Sequence, residues 1–356
     1  MASYKKRLLF LFTITFILLT GMVRFIYSTI EQYTNQSVEN YLNQKTAYFS
    51  EKLSGRVQAY KHEVKALSTH PALRKGEFLS ARNFLFDYLE SKVTKYEKFI
   101  IGDIHGNFLN TSGGNPAQGM YRTHNDKIPD SPKKKIDNRD YWLKTVGYLR
   151  PSNPSTYVSN PMVSYTTNTK QIVVAHPIQN NKNEIIGLIG ATLPWELFNG
   201  WLKEFEFELK KEMDITTKMV VLSRDGYYWY HWNPNFIVSE IVNKDGEHST
   251  DSEGLKLSKR FNILNDPNES IKFIGKEMIK GHQGNTIQTI DNVPHKWFYN
   301  PIHSAEASLG LIFEEASVHD KNRFFLRQIL SYLLIIALII LMLVIYLGYK
   351  SVQYRR

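Results

Sequence analysis

The sequence predicts an α+β protein held between two transmembrane helices, with a long N-terminal helix leading into two tandem α+β modules. Three observations carry this prediction. Apolar runs sit at both ends of the 356-residue chain: Leu8–Val23, extended past Arg24 to Tyr27, and Ile329–Tyr349. A long segment with helical apolar spacing follows the first run. Beyond it, strand-like runs and turns occur twice in the same order.

Each terminal run is about long enough to cross a ~30 Å hydrocarbon layer as a helix. Spans at 8–27 and 323–349 leave tails at 1–7 and 350–356. Lys5, Lys6 and Arg7 precede the first span, while Lys350, Arg355 and Arg356 follow the second. Positive flanks face the cytoplasm, so both tails are placed inside and the large loop outside, in the periplasm of a two-pass inner-membrane protein. Lys321, Arg323 and Arg327 crowd the outer end of the second span, but the N-terminal cluster sets orientation. A cleaved signal peptide is the competing reading of the first span; no A-x-A-like site follows it, and Ser28-Thr29 leads on into helix.

The chain has no cysteine, so an exported domain of this size must rest on a buried core rather than on disulfides. The same absence removes thiol catalysis and zinc–thiolate sites. The net charge of +10 is spread along the chain, apart from Lys133-Lys134-Lys135, and the location argues against a nucleic-acid partner.

The segment 28–73 reads as a stalk helix. It has no Pro before Pro71, and Val38, Tyr41, Ala47, Phe49, Leu53, Val57, Tyr60, Val64 and Leu67 recur at three- and four-residue spacing. Its apolar stripe is available to a second copy, which predicts a parallel homodimer. A second amphipathic helix is expected over Phe78–Val93. After Tyr96 the texture turns to short strands: Phe99-Ile100-Ile101, a turn at Asp103–Gly106, and Asn107-Phe108-Leu109 read as a hairpin. Gly113 to about Asn138 is a long loop. Gln171–Ala175 and Ile185–Gly190 are strands, and Pro194-Trp195-Glu196-Leu197 opens a helix to about Leu209.

The second half repeats this pattern. Val220-Val221-Leu222, the turn Ser223–Gly226, and Tyr227–Trp232 echo the first hairpin. Pro301-Ile302 and Gly310-Leu311-Ile312 echo Pro177-Ile178 and Gly187-Leu188-Ile189. Two matched features in matched order indicate a duplicated module, at 74–205 and 206–322, joined through the charged segment Glu204–Lys218.

This organisation resembles the double Cache family of extracytoplasmic, PAS-like sensor modules. Four stretches carry the resemblance: Asn138-Arg139-Asp140-Tyr141-Trp142, the strand pair from Pro177-Ile178 to Gly190, the hairpin leading to His231-Trp232-Asn233-Pro234-Asn235, and Trp297-Phe298-Tyr299-Asn300-Pro301-Ile302. The resemblance implies two PAS-like domains on a long helix, with a small ligand in the membrane-distal one, 74–205. In amino-acid-binding members an Arg followed by two aromatics helps clamp the ligand carboxylate, and here Arg139, Tyr141 and Trp142 occupy that stretch. A guanidinium offers a planar fork to a carboxylate, and aromatic rings wall a small pocket. The competing reading makes Tyr141 and Trp142 core residues and pairs Arg139 with a loop carboxylate. Those relatives also place one Asp near Tyr157-Val158-Ser159 and another on the last strand to hold the ligand ammonium. This chain has Ser159 and Ala191-Thr192 there. A carboxylate, another anion or a neutral small molecule is therefore expected, with Tyr157, Ser159 and Thr192 nearby and Tyr121 and His124 contributed by the preceding loop.

No catalytic motif is present. His62-Glu63 lacks the second His of a zinc protease, Gly275-Lys276 lacks the frame of a phosphate loop, and no G-x-S-x-G occurs. No enzyme activity, cofactor or metal is expected. Only Lys350–Arg356 follows the second span, so output is expected from a longer chain or a separate partner of diguanylate cyclase, histidine kinase or chemotaxis type. The alternative reading is a polysaccharide chain-length regulator, which shares the terminal spans but is mostly helical outside the membrane.

Overall fold

The computed structural model describes residues 2–91, 96–111, 135–164, 169–213, 215–241, 249 and 258–353. The chain divides into two units. One comprises 1–44, 290–295 and 313–356, and the other comprises 45–289 and 296–312.

Helix α1 runs unbroken over Ala2–Leu67, joining the first apolar run and the stalk without a break. It stops at Leu67, short of the expected Leu73. Pro71 can only begin a helix, and it opens the short α2, Pro71–Arg74, where the Ala72 N–H donates to His70 Nδ1. Helix α3 covers Phe78–Ser91. The expected hairpin forms as β1, Lys98–Asp103, and β2, Phe108–Asn110, antiparallel. Its turn is closed by Asp103 Oδ1, which accepts from the N–H groups of His105 (2.8 Å) and Asn107 (2.9 Å), with Gly106 at φ 80°. Helix α4, Asp140–Thr145, precedes the short strands β3, Tyr157–Val158, and β4, Met162–Val163. Then come β5, Lys170–Gln179, and β6, Ile185–Pro194, both buried along nearly their whole length. Helix α5 occupies Trp195–Met213, so most of the charged joining segment is helical rather than linker.

The second sheet uses β7, Lys218–Ser223, and β8, Tyr228–His231, followed by a separate ribbon of β9, Val238–Glu240, and β10, Ser258–Arg260. Helix α6, Glu269–Lys280, leads to β11, Gly284–Ile290, β12, Val293–Ile302, and β13, Ala307–Glu314. The first sheet has the order β2-β1-β6-β5-β3, with β4 also on β5; the second has β8-β7-β13-β12-β11. The two orders correspond strand for strand. The echoed segments fall on β5 and β6 in the first sheet and on β12 and β13 in the second, each pair central. Even the hairpin turns match, since Gly226 takes φ 83° and Ser223 Oγ accepts from the Tyr227 N–H at 3.2 Å.

In the unit 45–289 and 296–312, α1 is the element on which the rest packs. Phe49, Leu53, Val57 and Val64 form its buried stripe. Phe49 stacks on Phe205 of α5 with centroids 4.5 Å apart and planes 8° from parallel. Beside this seam, Lys52 and Arg56 reach Glu204 at 2.9 and 2.8 Å. Glu63 accepts from the hydroxyls of Tyr88 (2.5 Å) and Tyr96 (2.8 Å), which ties α1 to the first sheet. Ser50 donates to Asn300 O (3.1 Å), and Ser304 Oγ donates to Ser54 O (2.7 Å), which ties it to the second.

The sheets meet at Asn160. Its N–H donates to Asp140 Oδ2 (2.8 Å), its Nδ2 to Asp225 Oδ2 (3.3 Å), and its Oδ1 accepts from Trp229 Nε1 (3.1 Å). Lys144 reaches the same Asp225 at 3.2 Å.

In the other unit, α7 covers Glu315–Gln353. Among the described residues two helices are apolar and long enough to cross a membrane, with mean hydropathies of 1.5 and 3.0 over their most apolar windows and none of either window buried. Thr20 and Thr29 donate back to the carbonyls of Phe16 (2.8 Å) and Phe25 (2.9 Å), so these hydroxyls need no partner from lipid.

One substitution tests the central register of the first sheet. A Cβ at Gly187 would lie 2.2 Å from the carbonyl oxygen of Gly102 on the neighbouring strand. Gly187→Ala should cost about 2–3 kcal/mol and lower the denaturation midpoint. Gly200→Ala on α5, where a Cβ meets nothing within 4 Å, should hold the midpoint or raise it.

Candidate ligand-binding site

A cation at an inward position of a buried strand is the seed of the site. On β1 the alternation that turns Ile100 inward also turns Lys98 inward, and its side chain is buried. Lys98 Nζ donates to Ser164 Oγ at 2.6 Å and lies 3.7 Å from Glu97. Burial pushes the ammonium down to about 8, and the Glu97 carboxylate opposes that shift.

Lys98 lines a cavity of about 20 Å³ with Ile100, Phe108, Asn110, Ile136, Arg139, Tyr141, Met162, Ser164 and Gln171. That is room for about one water. Arg139 enters from the first turn of α4: it holds the N-cap position in extended backbone but its side chain makes no cap bond. The guanidinium is left to donate through Nη2 to Val163 O at 3.2 Å. Gln171 Oε1 is buried with no hydrogen-bond partner among the described residues. No carboxylate lines the cavity among the described residues. The Asp140 carboxylate accepts instead from the N–H groups of Tyr141 (2.9 Å) and Asn160 (2.8 Å), away from the cavity. Burial pushes its carboxyl up, and those hydrogen bonds together with the Arg260 and Arg139 charges oppose the shift. Two cations thus share one cavity, Lys98 placed by a strand and Arg139 at the N-cap of α4.

The sequence-predicted residues divide between several places. Arg139 and Tyr141 share this cavity. Trp142 does not line it; its Nε1 donates to Asp103 O (3.0 Å), anchoring the β1–β2 turn. Ser159 Oγ donates to Asn160 O (3.0 Å) and accepts from the Val173 N–H (2.8 Å), which fixes β3 against β5. Thr192 Oγ1 bonds both the N–H and the carbonyl of Lys98 at 3.0 Å, and so it holds the backbone of the buried lysine. Tyr157 lines a different cleft, beneath the Lys144 ammonium, 5.4 Å from its ring centre. Tyr121 and His124 lie outside the described residues. Sequence reasoning missed Lys98, Asn110, Ser164 and Gln171. For Lys98 the signal was there: a lysine in phase with Tyr96 and Ile100 in an otherwise apolar strand. Ser164 and Gln171 carry no periodic signal.

No family model and no curated protein matches the sequence. Solved structures do match. The ligand-binding domain of the Pseudomonas fluorescens chemoreceptor CtaA in complex with L-isoleucine superposes with a TM-score of 0.53 at 14% identity, over 82% of this chain and 98% of that one. The chain shares the Cache-like fold of that domain. The CtaA domain with L-leucine gives 0.52 at 13% identity, over 80% and 98%. The extracellular domain of a protein described as a histidine kinase, mmHK1S-Z2, gives 0.52 at 14% identity, over 79% and 98%. At these identities the likeness concerns the Cache fold alone, and the ligand question returns to the side chains of this chain.

Lys98 supplies the pH test. Its folded-state value of about 8 lies below the ordinary 10.5. Between the two, the unfolded chain holds a proton that the folded chain has released, so stability should rise as pH climbs from about 8 toward 10.5. Thermal midpoints measured across that range should show the slope, and Lys98→Met should flatten it. Affinity for an anionic ligand should run the other way, falling above about pH 8 as the ammonium is lost.

Proposed function

We propose that the chain is a membrane-bound extracytoplasmic sensor: two tandem Cache-type domains on a long helix, the first, 74–205, holding a small anionic or neutral metabolite. The observation that carries this is the pairing of Lys98 with Arg139 in one cavity whose described walls hold no carboxylate. A zwitterionic amino acid would find its carboxylate well served and its ammonium without a counter-charge. The strand-for-strand match of the two sheets supports the duplicated layout. It also favours this reading over a chain-length regulator, which would be mostly helical in this region. The cavity as it stands admits only a water, so ligand entry requires Arg139 and Lys98 to exchange Val163 O and Ser164 Oγ for ligand oxygens and the walls to part.

The basic flanks at Lys5–Arg7 and Lys350 support an orientation with both tails in the cytoplasm. The signal then passes along α1 and α7 to a cytoplasmic output of diguanylate cyclase, histidine kinase or chemotaxis type. Relative motion of helices across a membrane is readily shared by two copies, and α1 is the helix on which a parallel homodimer would form. Single cysteines along 28–67 in native membranes should crosslink with helical periodicity; uniform absence of crosslinks would count against the dimer.

The ligand reading is tested by a thermal-shift screen of the purified chain against a metabolite library. Anions should raise the midpoint. Arg139→Ala should remove a charge-assisted contact and weaken the bound anion by about 1.5–3 kcal/mol. A hit indifferent to both Arg139→Ala and Lys98→Met would overturn the site.

A further inference from the structure

A second and larger cleft, of about 220 Å³, opens where α1, the segment leading into β3 and the turn before β13 come together. It has roughly the volume of seven waters in the liquid, enough for a small metabolite. Its walls carry Lys61 from α1, Lys144 from α4, Tyr157 from β3 and Glu306 from the turn. Lys144 is already neutralised, lying 3.2 Å from Asp225. Lys61 and Glu306 are not. Lys61 Nζ donates to Ser304 O at 2.8 Å, and an ammonium has three donors. Burial pushes it down while the field of Glu306 pushes it back up, so the two charges sense each other across the cleft. Yet among the described residues no ion pair within 4.0 Å joins them or engages either one.

The backbone adds a second, independent observation. Glu306 takes φ 49° and ψ 47°, the left-handed region that a non-glycine residue seldom occupies. Strain of this kind collects at ligand clamps and switch points. Here it is held by the Glu306 carbonyl, which accepts from the Arg224 N–H at 3.0 Å.

We propose that this cleft is a ligand site for a small dipolar molecule, its anionic group on Lys61 and its cationic nitrogen on Glu306, with the Tyr157 ring as a wall. A lone anion would gain Lys61 and be repelled by Glu306, and a lone cation would meet the reverse. Only a molecule with both charges satisfies both walls. Such a ligand would bridge α1 and the turn before β13, which are already tied together through Ser54 and Ser304. It would therefore tighten the second sheet on α1. The site is separate from the Lys98–Arg139 cavity and does not depend on what that cavity binds.

The experiment is calorimetric titration of the full-length chain in lipid nanodiscs with glycine, β-alanine and γ-aminobutyrate, using butyrate and butylamine as single-charge controls. At least one aminocarboxylate should bind, and neither control should match it. Lys61→Met and Glu306→Gln should each weaken that binding by about tenfold or more, and Arg139→Ala should leave it unchanged. Because the Glu306 side chain is exposed, Glu306→Gln should keep its thermal midpoint and so read binding alone. Failure of every aminocarboxylate to bind, equal binding of butyrate or butylamine, or an unaltered affinity in Glu306→Gln would overturn the proposal. Loss with Arg139→Ala but not with Glu306→Gln would move the zwitterion to the first cavity. That outcome would overturn the proposal too, and with it the preference for anions assigned to that cavity.

Discussion

The buried stripe of α1 is the constraint on which the rest of the compact unit depends. Phe49, Leu53, Val57 and Val64 lie against protein rather than water, and burying side chains of this size contributes about 1.5–3 kcal/mol each. Both sheets hang from the same stretch of helix. Glu63 gathers the hydroxyls of Tyr88 on α3 and Tyr96 just before β1, and Ser50 and Ser54 hold the second sheet. The ion pairs of Lys52 and Arg56 with Glu204 lie on the rim, half in water, where each is worth ~0–1 kcal/mol. They set the register of α5 on α1 more than they hold it there. The stacked rings of Phe49 and Phe205 make the stronger seam.

Where the sheets meet, the contact is polar and narrowly specified. Both polar atoms of the Asn160 side chain find partners beside the second sheet, Trp229 of β8 and Asp225 of the β7–β8 turn, and its backbone N–H is held by Asp140 of α4. A buried polar cluster of this sort stabilises little if complete and costs much if broken. It selects one arrangement of the sheets rather than adding bulk stability. Asp140 also follows Arg139 directly in sequence, so the residue that reaches the candidate cavity is one peptide from the residue that reaches the junction. Movement of Arg139 on ligand entry has a short path to Asn160.

The candidate cavity and the cleft differ in what their charges have already found. In the cavity, Lys98 donates to Ser164 Oγ with the Glu97 carboxylate 3.7 Å away, and Arg139 donates to Val163 O. In the cleft, Lys61 and Glu306 face each other unpaired. Burial sharpens the case of Lys98, because a charge with little water around it depends on whatever partner is close.

The sequence by itself determined the long elements and the echo between the two halves. Apolar length marked the two candidate spans, three- and four-residue spacing marked α1, and the turns Asp103–Gly106 and Ser223–Gly226 between apolar runs marked both hairpins. These are local consequences of backbone geometry and of which residues shun water, and they need no partner to be read. The match of β5 and β6 to β12 and β13 was legible as repeated Pro-Ile and Gly-Leu-Ile segments. What only the tertiary structure decided was which side chains share a space. Arg139 and Tyr141 stayed together because they stand two residues apart at the start of one helix. Tyr157 went to another cleft, and Ser159 and Thr192 went to backbone hydrogen bonds, because strands from distant parts of the chain claimed their hydroxyls and faces. Lys98 entered the cavity by strand parity, but Ser164 and Gln171 joined it through the pairing of β4 with β5, a register that no periodic pattern in the chain encodes.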